Sequence, residues 1–158
     1  MRRHLLVGLA AGASGTAALN VVTYLDMAMR ARPSSEVPAE VAAKLAEGAG
    51  VDLAKGVEPG DPVDNRKEGI GALLGYLTGL GVGGAYGIVR ATGLRPPVVL
   101  AGVGLGLAAM AGSDVPATAL GVADPSSWPA SSWVADIVPH LAYGLVTAAA
   151  FESLLRDS

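Results

Sequence analysis

Residues 69–89, GIGALLGYLTGLGVGGAYGIV, carry no charged side chain. A helix on the surface of a water-soluble domain shows a polar face that recurs every third or fourth residue. This segment has no such face, and it has the length of about 20 apolar residues that a bilayer's hydrocarbon core demands of a helix. A chain containing it is constrained first by lipid. Three further segments meet the same test: 5–26, with Asp26 at its end; 97–115, with Asp114 near its end; and 133–154, interrupted by Asp136 and His140. The expected fold is all-α: a four-helix transmembrane bundle, a single integral membrane domain over 1–158, with an extramembrane loop at 31–68.

Composition agrees. Charged residues are 16% of the chain, against about 25% in typical soluble domains, and hydrophobic residues are 51%. Aromatics are only 4%, so the apolar content is mainly Ala, Gly, Val and Leu. A net charge of −3 with no basic patch points away from a nucleic-acid partner. The absence of Cys excludes disulfides, thiolate metal sites and cysteine nucleophiles.

The first segment has two readings. Arg2 and Arg3 before an apolar run, with the small residues AGASGTA, also describe a secretory signal peptide. The apolar run continues past any such site through Leu19, Val21, Val22 and Leu25, so a retained first helix is expected.

Orientation follows from Lys and Arg near the span ends. With four spans, the N-terminus, the second loop and the C-terminus share a side, which holds Arg2, Arg3, Arg90, Arg95 and Arg156. The third loop, SDVPATALGVADPSSWPASS, has no Lys or Arg. The first loop carries Arg30, Arg32, Lys44, Lys55, Arg66 and Lys67, diluted by acids from Glu36 to Glu68. Both termini are expected in the cytoplasm, in a bacterial cytoplasmic (inner) membrane, which makes 31–68 extracytoplasmic. Within that loop, Ser34 or Ser35 as a cap, Pro38 in the first turn and Gly48 at the end outline a short amphipathic helix with Val37, Val41 and Leu45 on one face. It is expected to lie on the bundle or on the membrane surface. Residues 55–69 read as a turn-rich link.

Glycine recurs at every fourth position of the second segment: Gly71, Gly75, Gly79, Gly83 and Gly87. Each costs about 1 kcal/mol relative to alanine in a helix in water. In lipid, helices associate by close packing, and a ridge of glycines admits a neighbouring backbone. Gly102 and Gly106 in the third segment, and Gly8, Gly12 and Thr16 in the first, are matching small-residue patterns. The ladder either packs one bundle internally or builds a homo-oligomer, to which Gly81 and Gly84, on a second face, would contribute.

Ionisable residues inside a span mark functional candidates. Asp136 and His140 are four apart, on one helical face that Tyr143 and Thr147 extend. Pro139 between them frees the carbonyl of Ala135 and bends the helix. Asn20, Asp26 and Asp114 are expected at similar depth, with Trp128 and Trp133 at the interface. The cluster is structural, or a proton, ion or solute site, or an enzyme or metal site. With one His at this depth and His4 at the opposite face, a His-rich metal site is excluded, and neither a metal nor a cofactor is expected. No Ser–His–Asp order, phosphate loop or HExxH motif occurs, so an enzyme is not expected.

The stretch LGVADPSSWPASSWVADIVPHLAYG resembles the Pro/Trp-containing loop, acid and "GH…W" helix of the YagU-like bacterial inner-membrane proteins. Tyr143 stands where those proteins have tryptophan, and Pro139 where they have glycine. The resemblance covers mainly the last third and implies four spans with a long first loop. That family has no settled activity. The Ala-, Gly- and Arg-rich usage fits a high-GC bacterium. The expected function is a structural or accessory component of the membrane; the alternative is a small proton, ion or solute channel or transporter working through the Asp/His cluster. Its expected partners are the lipid bilayer and either a second copy or another membrane protein.

Overall fold

The computed structural model describes residues 1–57 and 62–156. Its elements are α1 (Arg2–Arg30), α2 (Val37–Gly48), α3 (Asp64–Ala91), α4 (Val98–Ala119) and α5 (Ala130–Arg156), with one 3-10 turn at Pro125–Ser127 before α5. No strand occurs among the described residues. The protein is an all-α bundle of four long apolar helices with one short helix beside them. Residues 58–61 of the turn-rich link lie outside the described residues.

Each long helix exceeds its apolar segment. The 28 residues of α3 rise about 42 Å at 1.5 Å per residue, close to a whole bilayer with its headgroups. Its first turns, Asp64 to Glu68, are charged and extend the helix beyond the hydrocarbon. The 22 residues of α4 rise about 33 Å, the thickness of the hydrocarbon alone.

Side-chain size is sorted inside out relative to a soluble bundle. The residues buried between helices are mostly Gly and Ala, with Tyr86, Arg90, Leu105, Tyr143 and Phe151 as the large exceptions. The large aliphatic side chains point outward: Leu73 is 69% exposed, Leu77 67% and Leu100 66%. Such a surface is stable only where the surroundings are themselves apolar. All four long helices meet the length and hydropathy of membrane spans, which makes the chain a multi-pass membrane protein.

The helices pack in the spatial order α3–α1–α5–α4, and α4 also touches α3 lightly. Close backbone approach builds each main interface. A Cβ on Gly12 would stand 2.5 Å from the Gly79 carbonyl oxygen, and one on Gly83 would stand 2.7 Å from the Gly12 Cα. Gly8 and Gly87 complete this α1–α3 seam. On the other side, Gly102, Gly106 and Gly144 form the α4–α5 seam, where a Cβ on Gly106 would stand 2.7 Å from the His140 carbonyl oxygen. Gly15 closes the α1–α5 seam against Tyr143 and Thr147.

The five-member ladder thus splits between neighbours. Gly79, Gly83 and Gly87 meet α1, Gly71 meets Pro38 of α2, and Gly75 is open. The cause is helical period: at 3.6 residues per turn, every fourth position drifts about 40°, so five rungs sweep about 160° of the helix surface. Gly102 and Gly106 face α5 rather than the ladder. The two surplus glycines also part ways. Gly84 sits under Leu5 and Leu9 of α1, and Gly81 is open. Within their most apolar stretches α1, α3 and α4 are equally enclosed and α5 only slightly more so.

Helix α2 begins after Glu36, with Pro38 in its first turn; the Ser35 hydroxyl accepts from the Val37 N–H at 3.3 Å. It packs on α3, burying Ala42 and setting Pro38 against Gly71, so Leu45 is left 46% exposed. The packed face is rotated from the Val37–Val41–Leu45 stripe because the small side chains permit the closer approach.

Candidate functional site

Ionisable groups converge where α4 ends and α5 begins. On α5, the His140 Nδ1 lies 2.8 Å from the Asp136 carbonyl oxygen and 3.1 Å from its carboxylate. The one-turn spacing makes this possible, since residues four apart share a face. The His140 Nε2 reaches toward α4, 3.5 Å from the Ser113 hydroxyl. Next to Ser113, Asp114 brings a second carboxyl into electrostatic contact with Asp136 and His140. The histidine and Asp136 side chains are 15% and 19% exposed, half-sheltered between the helices.

Backbone breaks mark the same region. Pro116 lies inside α4 and Pro139 inside α5. Each lacks an N–H and leaves the carbonyl four residues before it, Gly112 or Ala135, without its usual helical partner. Helix α5 stays continuous through Pro139. Beyond the cluster, Trp128 and Trp133 stack edge to face at 5.2 Å. Asp124 caps the intervening turn by accepting from the Ser126 N–H at 3.0 Å and the Ser126 hydroxyl at 2.5 Å. A cavity of about 450 Å³ runs from Asp114 past Val115 and Thr118 to Trp133. Its lining includes neither Asp136 nor His140.

Two residues grouped with this cluster by sequence depth, Asp26 and Tyr143, bond elsewhere. Asp26 is gripped by two arginines at the end of α1: Arg30 Nε at 2.6 Å, Arg30 Nη2 at 2.7 Å and Arg32 Nε at 2.5 Å. Arg32 reaches back because Ala31 adopts a left-handed conformation, φ 51°. Tyr143 turns to the bundle centre, where its hydroxyl donates to the Gly79 carbonyl at 2.6 Å. It diverges from His140 because three residues turn a helix about 300°, leaving them roughly 60° apart, and α1 and α4 occupy those two directions. Asn20 is half-buried on α1, and no hydrogen bond joins it to the cluster. Among the described residues, no group of His, Asp and Glu is arranged to hold a metal ion.

Sequence reasoning missed Ser113 and the opposite end of the bundle. There Arg90, 6% exposed, pairs with Glu152 of α5 and donates to the Tyr86 hydroxyl at 2.9 Å. Its guanidinium also stands over Phe151, 5.1 Å from the ring centroid. The available signal was a lone acid, Glu152, near the end of the fourth apolar segment, on the side where Arg90 ends the second.

Comparison with family models, curated proteins and solved structures finds no match to this chain. Fold and site define its class, a small multi-pass membrane bundle with a polar cluster toward one end.

Proposed function

We propose that this protein is a structural or accessory component of a bacterial cytoplasmic membrane, with both termini on the cytoplasmic side. The observation that carries this reading is the filled centre of the bundle. Tyr143, 1% exposed, bridges from α5 to the Gly79 carbonyl of α3, with Thr16, Thr147 and Ala11 packed around it. A transport path needs polar, hydrated space between its two mouths, and close-packed glycine seams occupy that volume instead. The orientation rests on Arg2, Arg3, Arg90, Arg95 and Arg156 gathering at one end. Kinship with the YagU-like proteins rests on the 120–144 stretch alone.

A proton, ion or solute carrier is the second reading, favoured by the Ser113–His140–Asp136 contacts with Asp114 beside the cavity. Purified protein in proteoliposomes loaded with a pH-sensitive dye separates the two. The structural reading expects no protein-dependent flux under an imposed gradient; a flux abolished by Asp136→Asn would overturn it. For orientation, a cysteine placed at Thr92 should resist impermeant thiol reagents in intact cells, and labelling there would invert the topology.

A further inference from the structure

The cavity beside the polar cluster is built to favour one sign of charge. Its volume, about 450 Å³, falls within the range of small-ligand sites, about 300–1,000 Å³. Val115, Ala119, Pro125 and Trp133 make its walls apolar, and Thr118 adds a hydroxyl. Among the described residues, Asp114 is the one charged member of the lining. An apolar pocket with a few convergent polar groups is the usual form of a site for a small organic molecule.

The charged groups that act on Asp114 are Asp136 and His140. One imidazole cannot balance two ionised carboxyls, and it already lies 3.1 Å from Asp136. The Ser113 hydroxyl donates to Asp114 at 3.4 Å, a contact that does not neutralise it. Among the described residues no Lys or Arg forms an ion pair with Asp114 or Asp136. Residues 58–61 and 157–158 contain no Lys or Arg, and neither does the stretch 115–133 beside the cavity. The backbone adds the same sign of charge. Thr118 and Ala119 belong to the last turn of α4, where unpaired carbonyls make the helix end partially negative.

We propose that this cavity binds a lipophilic organic cation, a quaternary ammonium or protonated amine carried on an apolar body. Asp114 supplies the counter-charge, Trp133 supplies an aromatic wall of the kind that attracts cations, and Val115, Ala119 and Pro125 receive the apolar part. An ammonium-bearing phospholipid fits less well, because its phosphate would find no Lys or Arg in the adjoining loop. A bare metal ion fits poorly too, since one carboxylate in an apolar wall offers few of the roughly six oxygen ligands that hard cations take. The cavity does not reach His140 or Asp136, so binding here needs no path through the filled centre of the bundle. The proposal thus goes beyond the structural reading and does not depend on transport.

The chain has two tryptophans, Trp133 in the cavity wall and Trp128 stacked on it, so intrinsic fluorescence reads this site directly. The full chain, purified in a neutral detergent, is titrated with benzyltrimethylammonium or with neopentylbenzene, its uncharged isostere. The cation should give a saturable change in tryptophan emission, and the isostere should bind at least about tenfold more weakly. Asp114→Asn keeps the side chain's shape and should lose about tenfold or more in affinity for the cation. Ala119 is exposed, so Ala119→Phe should fold with unchanged circular dichroism and lose binding by filling the cavity. Glu40 is an exposed acid on α2, outside the lining, and Glu40→Gln should stay within about twofold of the parent. Equal binding of the isostere, an unaffected Asp114→Asn variant, retained binding in Ala119→Phe, or an equal loss in Glu40→Gln would overturn the site. A signal that rises without saturating would reveal partition into the micelle only and would overturn it as well.

Discussion

The Tyr143 hydroxyl donates to the Gly79 carbonyl oxygen at 2.6 Å, joining two helices that are separated in the packing order by α1. The bond spans the bundle because Gly15 and Gly79 leave room for the ring: a Cβ on Gly79 would stand 3.3 Å from the Tyr143 Cε2, and one on Gly15 would stand 2.8 Å from its Cδ2. Tyr143→Phe keeps the ring and removes the bond. It should destabilise the bundle by about 0.5–1.5 kcal/mol, the net worth of one hydrogen bond, measured by unfolding in mixed micelles. No change in the transition would show that the bond contributes nothing.

The glycine seams predict a contrast within one helix. Gly83 meets the α1 backbone, whereas Gly75 has nothing within 4 Å of a Cβ position. Gly83→Ala must push α1 and α3 apart and should cost about 1–3 kcal/mol, the range for overpacking. Gly75→Ala should be neutral or stabilise by up to about 1 kcal/mol, through helix propensity. The same unfolding assay ranks the two, and equal effects would refute the assigned seam. A Gly75 substitution that is costly in the membrane yet harmless to the isolated chain would point to an oligomer contact on the open face.

At the polar cluster, Asp136→Asn keeps the side chain's shape while removing its charge beside His140. The Asp136 Oδ2 is buried without a hydrogen-bond partner, so the carboxylate is incompletely satisfied where it stands. With a structural cluster, the substitution should alter stability by about 1–3 kcal/mol, as for a disturbed buried polar group, and leave vesicles as proton-tight as before. A folded variant that loses a pH-dependent flux seen in the parent would assign the cluster to transport.

Ala31 ends α1 in a left-handed conformation, with φ 51° and ψ 33°. An L residue pays about 1–2 kcal/mol for that conformation, offset here by the turn that returns Arg32 to Asp26. Ala31→Gly should relieve the strain and stabilise by about 0.5–1 kcal/mol, since glycine's extra unfolded-state freedom takes back part of the gain. Asp26→Asn should do the reverse by releasing both arginines. A lower melting temperature for Ala31→Gly would contradict the assigned backbone geometry.

Much of this architecture was legible in the order of residues. An uncharged run such as 69–89 has no alternative to a helix in an apolar setting, because only internal hydrogen bonding satisfies its backbone there. Pro38 and Gly48 bracketed α2 within a residue or so by their restricted and permissive backbones. The Asp136–His140 contact also follows from sequence, because four residues make one helical turn.

What the sequence left open are choices between neighbours. A ladder of glycines announces close packing but does not name the partner. Only the folded bundle assigns Gly79, Gly83 and Gly87 to α1, gives Gly71 to α2 and leaves Gly75 bare. The same holds for polar groups that share a depth. Asp26, Asn20 and Asp136 stand at comparable distances along their helices, yet helix rotation and the Ala31 turn send Asp26 to Arg30 and Arg32. The Arg90–Glu152 pair is a product of two helix ends meeting. Contacts within one helix follow from its period. Contacts between helices depend on which seams close most tightly, and that is decided by all four spans at once.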